Sequence, residues 1–372
     1  MNRRTFLHLG IGATLATPLL AALREDKLKS AAEALTKATA EGQVKGASLY
    51  VRQGERELAK SFGTSKSIDD MYLLGSISKP MSVAALMTLF DQGKFRLDEP
   101  AQKYLPEFTG EGREKVTIRH LLTHVSGLPD QLPENQALRS SHAALSEFVK
   151  AAARTPLTFA PGTRYQYSSM AILLASEIAQ RISGVNFLEF IDKTLFQPLG
   201  MQHSALGLGR FKREELMPCQ ADSAAPESGG GDPTAKEWDW NSPYWRKLGA
   251  PWGGLHASAP DVARFLAEFL RPARDPKEVG KAFKSETARL IAQNHNPPGL
   301  TPRGLGFALG ELASSPGCSE RTFGHSGSTG TLCWADPATD TICVVLTTLP
   351  GRAAQPHPRK TASDLVAQAA SL

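Results

Sequence analysis

The chain has 372 residues, 41% of them hydrophobic and 21% charged, enough for one large domain or two interleaved lobes around a sizeable core. Its formal net charge is +5, and Arg3 and Arg4 supply two of those charges in a segment expected to be removed, leaving +3. A charge so small and so dispersed argues against nucleic acid as a partner.

The first segment, residues 1–22, reads as an export signal. Asn2-Arg3-Arg4-Thr5-Phe6-Leu7 opens an apolar run to Leu20, followed by Ala21-Ala22. The paired arginines resemble a twin-arginine signal, with a general secretory signal or an uncleaved anchor as the alternative. Gly10, Gly12 and Pro18 interrupt the run, which is short for a membrane span. No other stretch is apolar enough to cross a bilayer. The remaining chain, 23–372, is expected to be one domain acting in the periplasm or outside the cell.

Residues 23–41 have helical composition, with Leu28, Ala31, Ala32 and Leu35 on one stripe and Gly42 as the stop. Residues 47–51 and 58–62 read as strands around the turn Gln53-Gly54-Glu55. A helix is expected over 76–92, stopped by Gly93. It begins at Ser76-Ile77-Ser78-Lys79-Pro80, so Ser76 and Lys79 lie one turn apart on one face. A serine hydroxyl needs a base to become a nucleophile, and a lysine amine serves once its pKa is lowered. The helix N-terminus adds N–H groups that favour developing negative charge.

The middle of the chain is helical: short at 117–123, then 143–153, 168–182, 187–196, 259–270 and 285–293. Residues 219–236, rich in Ser, Ala, Gly and Pro, read as a mobile surface loop. The aromatic group Trp238, Trp240, Tyr244, Trp245 and Trp252 that follows either packs under that loop or lines a cleft. Residues 304–312, 322–334 and 341–348 read as three antiparallel strands, and 361–372 as an amphipathic helix. The expected architecture is therefore α+β. One antiparallel sheet is built from both chain ends and flanked by helices, with a helical lobe inserted over about 98–260.

Two further stretches carry chemistry. Pro161-Gly162-Thr163-Arg164-Tyr165-Gln166-Tyr167-Ser168-Ser169 precedes an apolar helix, and a tyrosine held there beside a lysine can act as a general base through its phenolate. Phe323-Gly324-His325-Ser326-Gly327-Ser328-Thr329-Gly330 lies on an expected strand whose small residues let a ligand run along the backbone. The Ser328 N–H is a candidate oxyanion donor there.

These three segments, in this order and separation, resemble the serine β-lactamase and penicillin-binding-protein superfamily, and its class C-like branch in particular. Leu121-Leu122-Thr123-His124-Val125-Ser126-Gly127-Leu128-Pro129, Pro198-Leu199-Gly200-Met201 and Gly253-Gly254-Leu255-His256-Ala257-Ser258-Ala259-Pro260-Asp261 look like that branch's internal signatures. The resemblance implies Ser76 as the acylated nucleophile, Lys79 as holder of its proton and Tyr167 as base and then acid. It implies an oxyanion hole from the N–H groups of Ser76 and Ser328, and substrate contacts at Ser169, His325, Ser326 and Gly327. The chain departs from the family twice. A serine, Ser169, stands where the family usually has the asparagine of Tyr-x-Asn. His325 stands where many members have a lysine, and it is a weaker, pH-dependent anchor for a carboxylate. The resemblance implies an exported serine hydrolase for esters or for D-configured, cell-wall-like amides and peptides. A true β-lactamase is the second reading, and a binding or scaffold protein that lost turnover is the third. No metal or organic cofactor is implied.

Three patterns are set aside. His120 and His124 lack the glutamate of H-E-x-x-H and belong to a structural signature, so no metal is assigned to them. Gly324-His325-Ser326-Gly327-Ser328 lacks the last glycine, and the helix, of a nucleophile elbow. Cys219, Cys318, Cys333 and Cys343 show no C-x-x-C spacing; Cys333 and Cys343 flank a turn and face each other if the hairpin register allows, or else are small buried hydrophobes.

Overall fold

Strand patterns at both ends of the chain call for a sheet that joins them, and the computed structural model has one. It describes residues 24–275, 277–313 and 315–370, so the expected export signal lies outside the described residues. The strands are β1 (Gly46–Gln53), β2 (Arg56–Gly63), β3 (Tyr72–Leu73), β4 (Ser204–Leu206), β5 (Leu255–Ala257), β6 (Ala308–Leu309), β7 (Phe323–Gly327), β8 (Thr331–Asp336) and β9 (Thr341–Thr347). Six form an antiparallel sheet in the order β2-β1-β9-β8-β7-β6. The pairing of β1 with β9 ties the two ends together. A second, small sheet, β3-β5-β4, has strands of two or three residues, too short for a period-2 signal.

The helices that frame the sheet and the site are α1 (Glu25–Ala40), α2 (Ser78–Asp91), α3 (Ile118–Leu122), α4 (Ser169–Ser183), α5 (Ala259–Arg274) and α6 (Pro358–Ala370). Every residue of β8 and β9 is buried, because both sheet faces are covered, and such strands read as continuous apolar runs. Leu49, Val51, Trp334 and Val345 pack with α1 and α6 on one face; Tyr50, Cys333, Ala335 and Val344 belong to the core on the other. The edge strand β2 carries Arg56, Glu57 and Lys60 exposed, which discourages edge-to-edge pairing. Helix α2 is buried from Ser78 to Leu89, so it is apolar all round rather than amphipathic.

Four expectations are corrected. Cys333 pairs with Val344 and Trp334 with Cys343, so the two cysteines are one register step apart and point to opposite faces; the facing pair is excluded, and both are the small buried hydrophobes of the other reading. The single strand over 322–334 is a hairpin, β7 and β8, broken at Ser328-Thr329-Gly330, with Gly330 at φ +100°. The strand over 304–312 shrinks to two residues, because Gly306, at φ +81°, lies against α2, where a Cβ would sit 3.0 Å from Pro80 Cα and Val83 Cβ. The loop at 219–236 is packed rather than loose: Ala221, Ala224, Ser228 and Ala235 are buried, and Arg139 bonds the Glu227 carbonyl at 3.0 Å. Trp238, Trp240, Trp245 and Trp252 are buried too, and Arg139 stacks on the Trp238 and Trp245 rings.

Candidate active site

Ser76 lies two residues before α2. Gly75–Ile77 form a 3-10 turn that runs into the helix, with Gly75 at φ +56°. A Cβ at position 75 would lie 2.9 Å from Thr329 Oγ1 and 3.2 Å from Ser328 N, so this close approach requires glycine and brings the Ser328 amide beside the backbone next to Ser76. The three-residue spacing sets Lys79 Nζ 3.1 Å from Ser76 Oγ, and Nζ also donates to the Trp252 carbonyl at 3.0 Å. Segment 251–255 clamps the helix start: Ser82 Oγ donates to Pro251 O at 2.7 Å, and Ser78 Oγ accepts from Leu255 N at 3.0 Å.

Lys79 is 1% exposed. Burial takes its pKa from 10.5 down to about 7; the Arg303 cation adds to the fall, and the Asp130 carboxylate opposes it. A substantial share of the amine is therefore unprotonated at neutral pH, as a base for Ser76 requires.

Tyr167 sits two residues before α4, held from below by the loop that follows α3. Gln166 N donates to His124 O at 2.9 Å and Ser168 N to His124 Nδ1 at 3.1 Å. Ser168 Oγ caps α4 by accepting from Ala171 N at 3.0 Å. The Tyr167 ring lies 4.7 Å from the His124 ring, and Lys79 Nζ is 4.6 Å from the Tyr167 ring centroid. Ser76 and Tyr167 line one cavity, and Lys79 reaches both the Ser76 hydroxyl and the Tyr167 ring, so the hydroxyl, amine and phenol meet in one crevice. Burial raises the Tyr167 pKa more than the nearby Ser76 hydroxyl lowers it. The phenolate expected from the sequence is therefore disfavoured: removing the phenol from water penalises its charged form, and the lysine beside it carries less than a full charge.

His124 and His120 have structural roles. His124 is fully buried, and burial drives its pKa well down, so Nδ1 accepts the Ser168 N–H. Thr117 N donates to His120 Nδ1 at 3.3 Å, inside the capping box of α3.

Strand β7 forms the opposite wall. The hydroxyls of Thr329 and Thr331 donate to Leu73 O and Leu74 O at 2.6 Å each, pinning the β7–β8 turn to the chain just before Ser76. Arg359 from α6 bonds the carbonyls of Gly327 and Thr331, and Gly351 N donates to Ser328 O at 2.8 Å. A Cβ on residue 327 would fall 2.1 Å from Leu74 O, so glycine is needed there for packing. His325 is buried, and its pKa is driven well down by burial, then by Arg303 and Lys79. Its Nδ1 lies 2.8 Å from Ser326 O, which only accepts, so Nδ1 carries the proton and Nε2 faces Arg303 Nη2 at 3.4 Å. Burial thus favours the neutral imidazole, with Nδ1 donating to Ser326 O and Nε2 turned to Arg303.

Ser76, Tyr167, His325 and Ser326 line a cavity of about 410 Å³, together with Tyr165, Thr301, Arg303, Ala308 and Leu312. Ser328 is exposed at its turn, and Gly327 is buried behind it. Ser169 does not line the cavity. It is 2% exposed, and its hydroxyl and N–H both donate to Asp130 Oδ1, at 2.6 and 2.9 Å. Asp130 and Arg303 are functional candidates the sequence reading missed; the only signal for either was a charge set among glycines, prolines and apolar residues. A larger groove of about 800 Å³, lined by Phe269, Leu309, Phe323 and neighbours, has no serine, threonine, cysteine, histidine, lysine or tyrosine among its lining residues.

A family model described as Beta-lactamase matches residues 31–368, spanning every element of this site. The chain belongs to the Beta-lactamase family. Within it, esterase EstB of Burkholderia gladioli is 32% identical over 355 residues, covering 84% of this chain and 82% of the esterase. The D-amino acid amidase of Ochrobactrum anthropi SV3 has the same fold, with TM-score 0.73 and 22% identity over 92% of this chain and 99% of that one. A penicillin-binding protein homolog from Caulobacter crescentus also matches in fold, at TM-score 0.73 and 21% identity over 94% and 98%. This Beta-lactamase family member is a serine hydrolase of the β-lactamase fold.

Proposed function

We propose that the protein hydrolyses esters, and amides of D-configured or cell-wall-like acyl groups, through an acyl-enzyme on Ser76. The observation that carries this reading is the Ser76–Lys79 contact at 3.1 Å with an amine whose pKa burial lowers to about 7. Lys79 takes the Ser76 proton as Oγ bonds to the substrate carbonyl carbon. The N–H groups of Ser76 and Ser328 receive the developing oxyanion. Lys79 passes the proton through the Tyr167 hydroxyl to the leaving oxygen or nitrogen as that bond breaks, and water then attacks the acyl carbon by the reverse route. Tyr167 serves in this scheme as a relay, consistent with a phenol that burial keeps protonated. The likeness to an esterase and the neutral His325 favour esters over β-lactams.

The test is mass spectrometry after incubation with a fluorophosphonate and with a β-lactam, beside turnover of p-nitrophenyl esters, D-amino-acid amides and cephalosporins. An adduct on Ser76, with turnover abolished in Ser76→Ala at unchanged melting temperature, is expected. Retained turnover in that variant refutes the mechanism; no adduct and no turnover with any reagent supports a scaffold role, and fast cephalosporin hydrolysis a β-lactamase. We also propose export by the twin-arginine route, on the strength of Arg3-Arg4 before the apolar run. Replacing both arginines by lysine should retain the protein in the cytoplasm, and undiminished export would exclude that route.

A further inference from the structure

We propose that Arg303 binds a carboxylate of the substrate, in the same cavity as Ser76. This rests on the serine-hydrolase reading above and names the chemistry its substrates carry. Arg303 is 3% exposed and lines the cavity beside Ser76, Tyr165, Tyr167 and His325. Other buried guanidinium groups in the chain are firmly held. Arg271 reaches Glu268, Ser285 and the Phe283 carbonyl, and Arg246 bonds Trp240 O at 2.6 Å and Asn241 Oδ1 at 3.0 Å.

Arg303 differs from these. Arg271 Nε and Arg246 Nη1 are buried without partners among the described residues, as Arg303 Nε is, but those two side chains have short bonds elsewhere, whereas Arg303 Nη2 makes only two long contacts, 3.5 Å to Gly306 O and 3.4 Å to His325 Nε2. No carboxylate pairs with it there; the acidic groups that sense its charge are the phenols of Tyr165 and Tyr167. A buried cation without a counter-ion is costly, and an arriving carboxylate relieves that cost. The planar fork of a guanidinium matches the two oxygens of a carboxylate. His325 offers no competing cation, since its one N–H is engaged with Ser326 O. Arg303 is thus the permanent positive charge lining the cavity wall.

Two pairs of esters test this on the full chain. Mono-p-nitrophenyl glutarate against p-nitrophenyl valerate puts the charge on the acyl side. 3-Carboxyphenyl acetate against phenyl acetate puts it on the leaving group. The wild type is expected to prefer the charged member of one pair, and Arg303→Met to reduce that preference in kcat/KM on the order of 10²-fold, mainly through KM. Arg303→Lys, which keeps the charge but not the fork, should retain part of it. No preference in either pair, or a preference unchanged in Arg303→Met, overturns the assignment. Calorimetric binding of the same esters to Ser76→Ala, with and without Arg303→Met, reads the subsite independently of turnover. Weaker binding of the charged ester to the double variant is expected, and equal binding overturns the assignment. Absent hydrolysis of all four esters with that binding difference intact would support Arg303 and count against the hydrolase reading alone.

Discussion

Lys79 connects the fold to the chemistry most directly, and its titration is measurable in two independent ways. Burial moves its pKa from 10.5 to about 7. At about 1.4 kcal/mol per pH unit, the folded protein disfavours the charged amine by about 5 kcal/mol relative to the unfolded chain. The unfolded lysine keeps its proton up to about 10.5, whereas the folded one releases it near 7. Between those values the unfolded chain binds more protons, so the lysine's contribution to stability rises with pH. It is fully present above about 10.5 and lost as pH falls through about 7. From pH 7.5 to 9 the wild type should therefore gain about 2 kcal/mol relative to Lys79→Met, read from urea midpoints of both proteins at each pH. In the proposed mechanism the same titration should govern catalysis. For a neutral ester, kcat/KM should climb about tenfold per pH unit up to an apparent pKa near 7 and then level off. Lys79→Arg, whose guanidinium stays protonated, should lose about 10²- to 10⁴-fold at every pH. A rate independent of pH from 5 to 9, or one that climbs only toward pH 10, would refute the assignment of Lys79 as the base. So would a stability difference that does not change with pH.

Asp130→Asn should shift the rising limb of that pH profile to lower pH, because the Asp130 charge favours the protonated lysine; an Asn at 130 can still accept from Ser169. An unmoved limb would show that Asp130 serves only to anchor the start of α4. Gly327→Ala would drive a methyl group to 2.1 Å from Leu74 O and 2.3 Å from Thr331 Oγ1. It should cost about 1–3 kcal/mol in denaturant melts and lower kcat more than it raises KM, since the displaced backbone carries the proposed oxyanion donors. Unchanged kcat would separate β7 from the nucleophile turn.

Local rules account for what could be read along the chain. The i to i+3 spacing of Ser76 and Lys79 becomes a 3.1 Å contact because one helical turn leaves no other arrangement when both side chains point inward. The α1 stripe of Ala31, Ala32 and Leu35 is buried as its period requires. The apolar β9 run could only be a strand covered on both faces, which placed the two chain ends in one sheet. The hairpin at Ser328–Gly330 was hidden because small residues satisfy both a strand and a turn, and only the hydroxyl bonds to Leu73 O and Leu74 O select the turn. The facing of Cys333 and Cys343 depended on a register that shifts by one residue without altering composition.

The identity and order of Ser76, Lys79, Tyr167 and the β7 segment were determined by the sequence, as was the sheet that joins both ends, because each follows from spacing along a few residues. Ionisation was decided by tertiary structure alone. Burial draws the Lys79 amine toward neutrality, disfavours the Tyr167 phenolate, and with Arg303 disfavours the charged form of His325. A side chain's charge depends on the water it loses and the charges brought near it, and segments more than two hundred residues apart supply both.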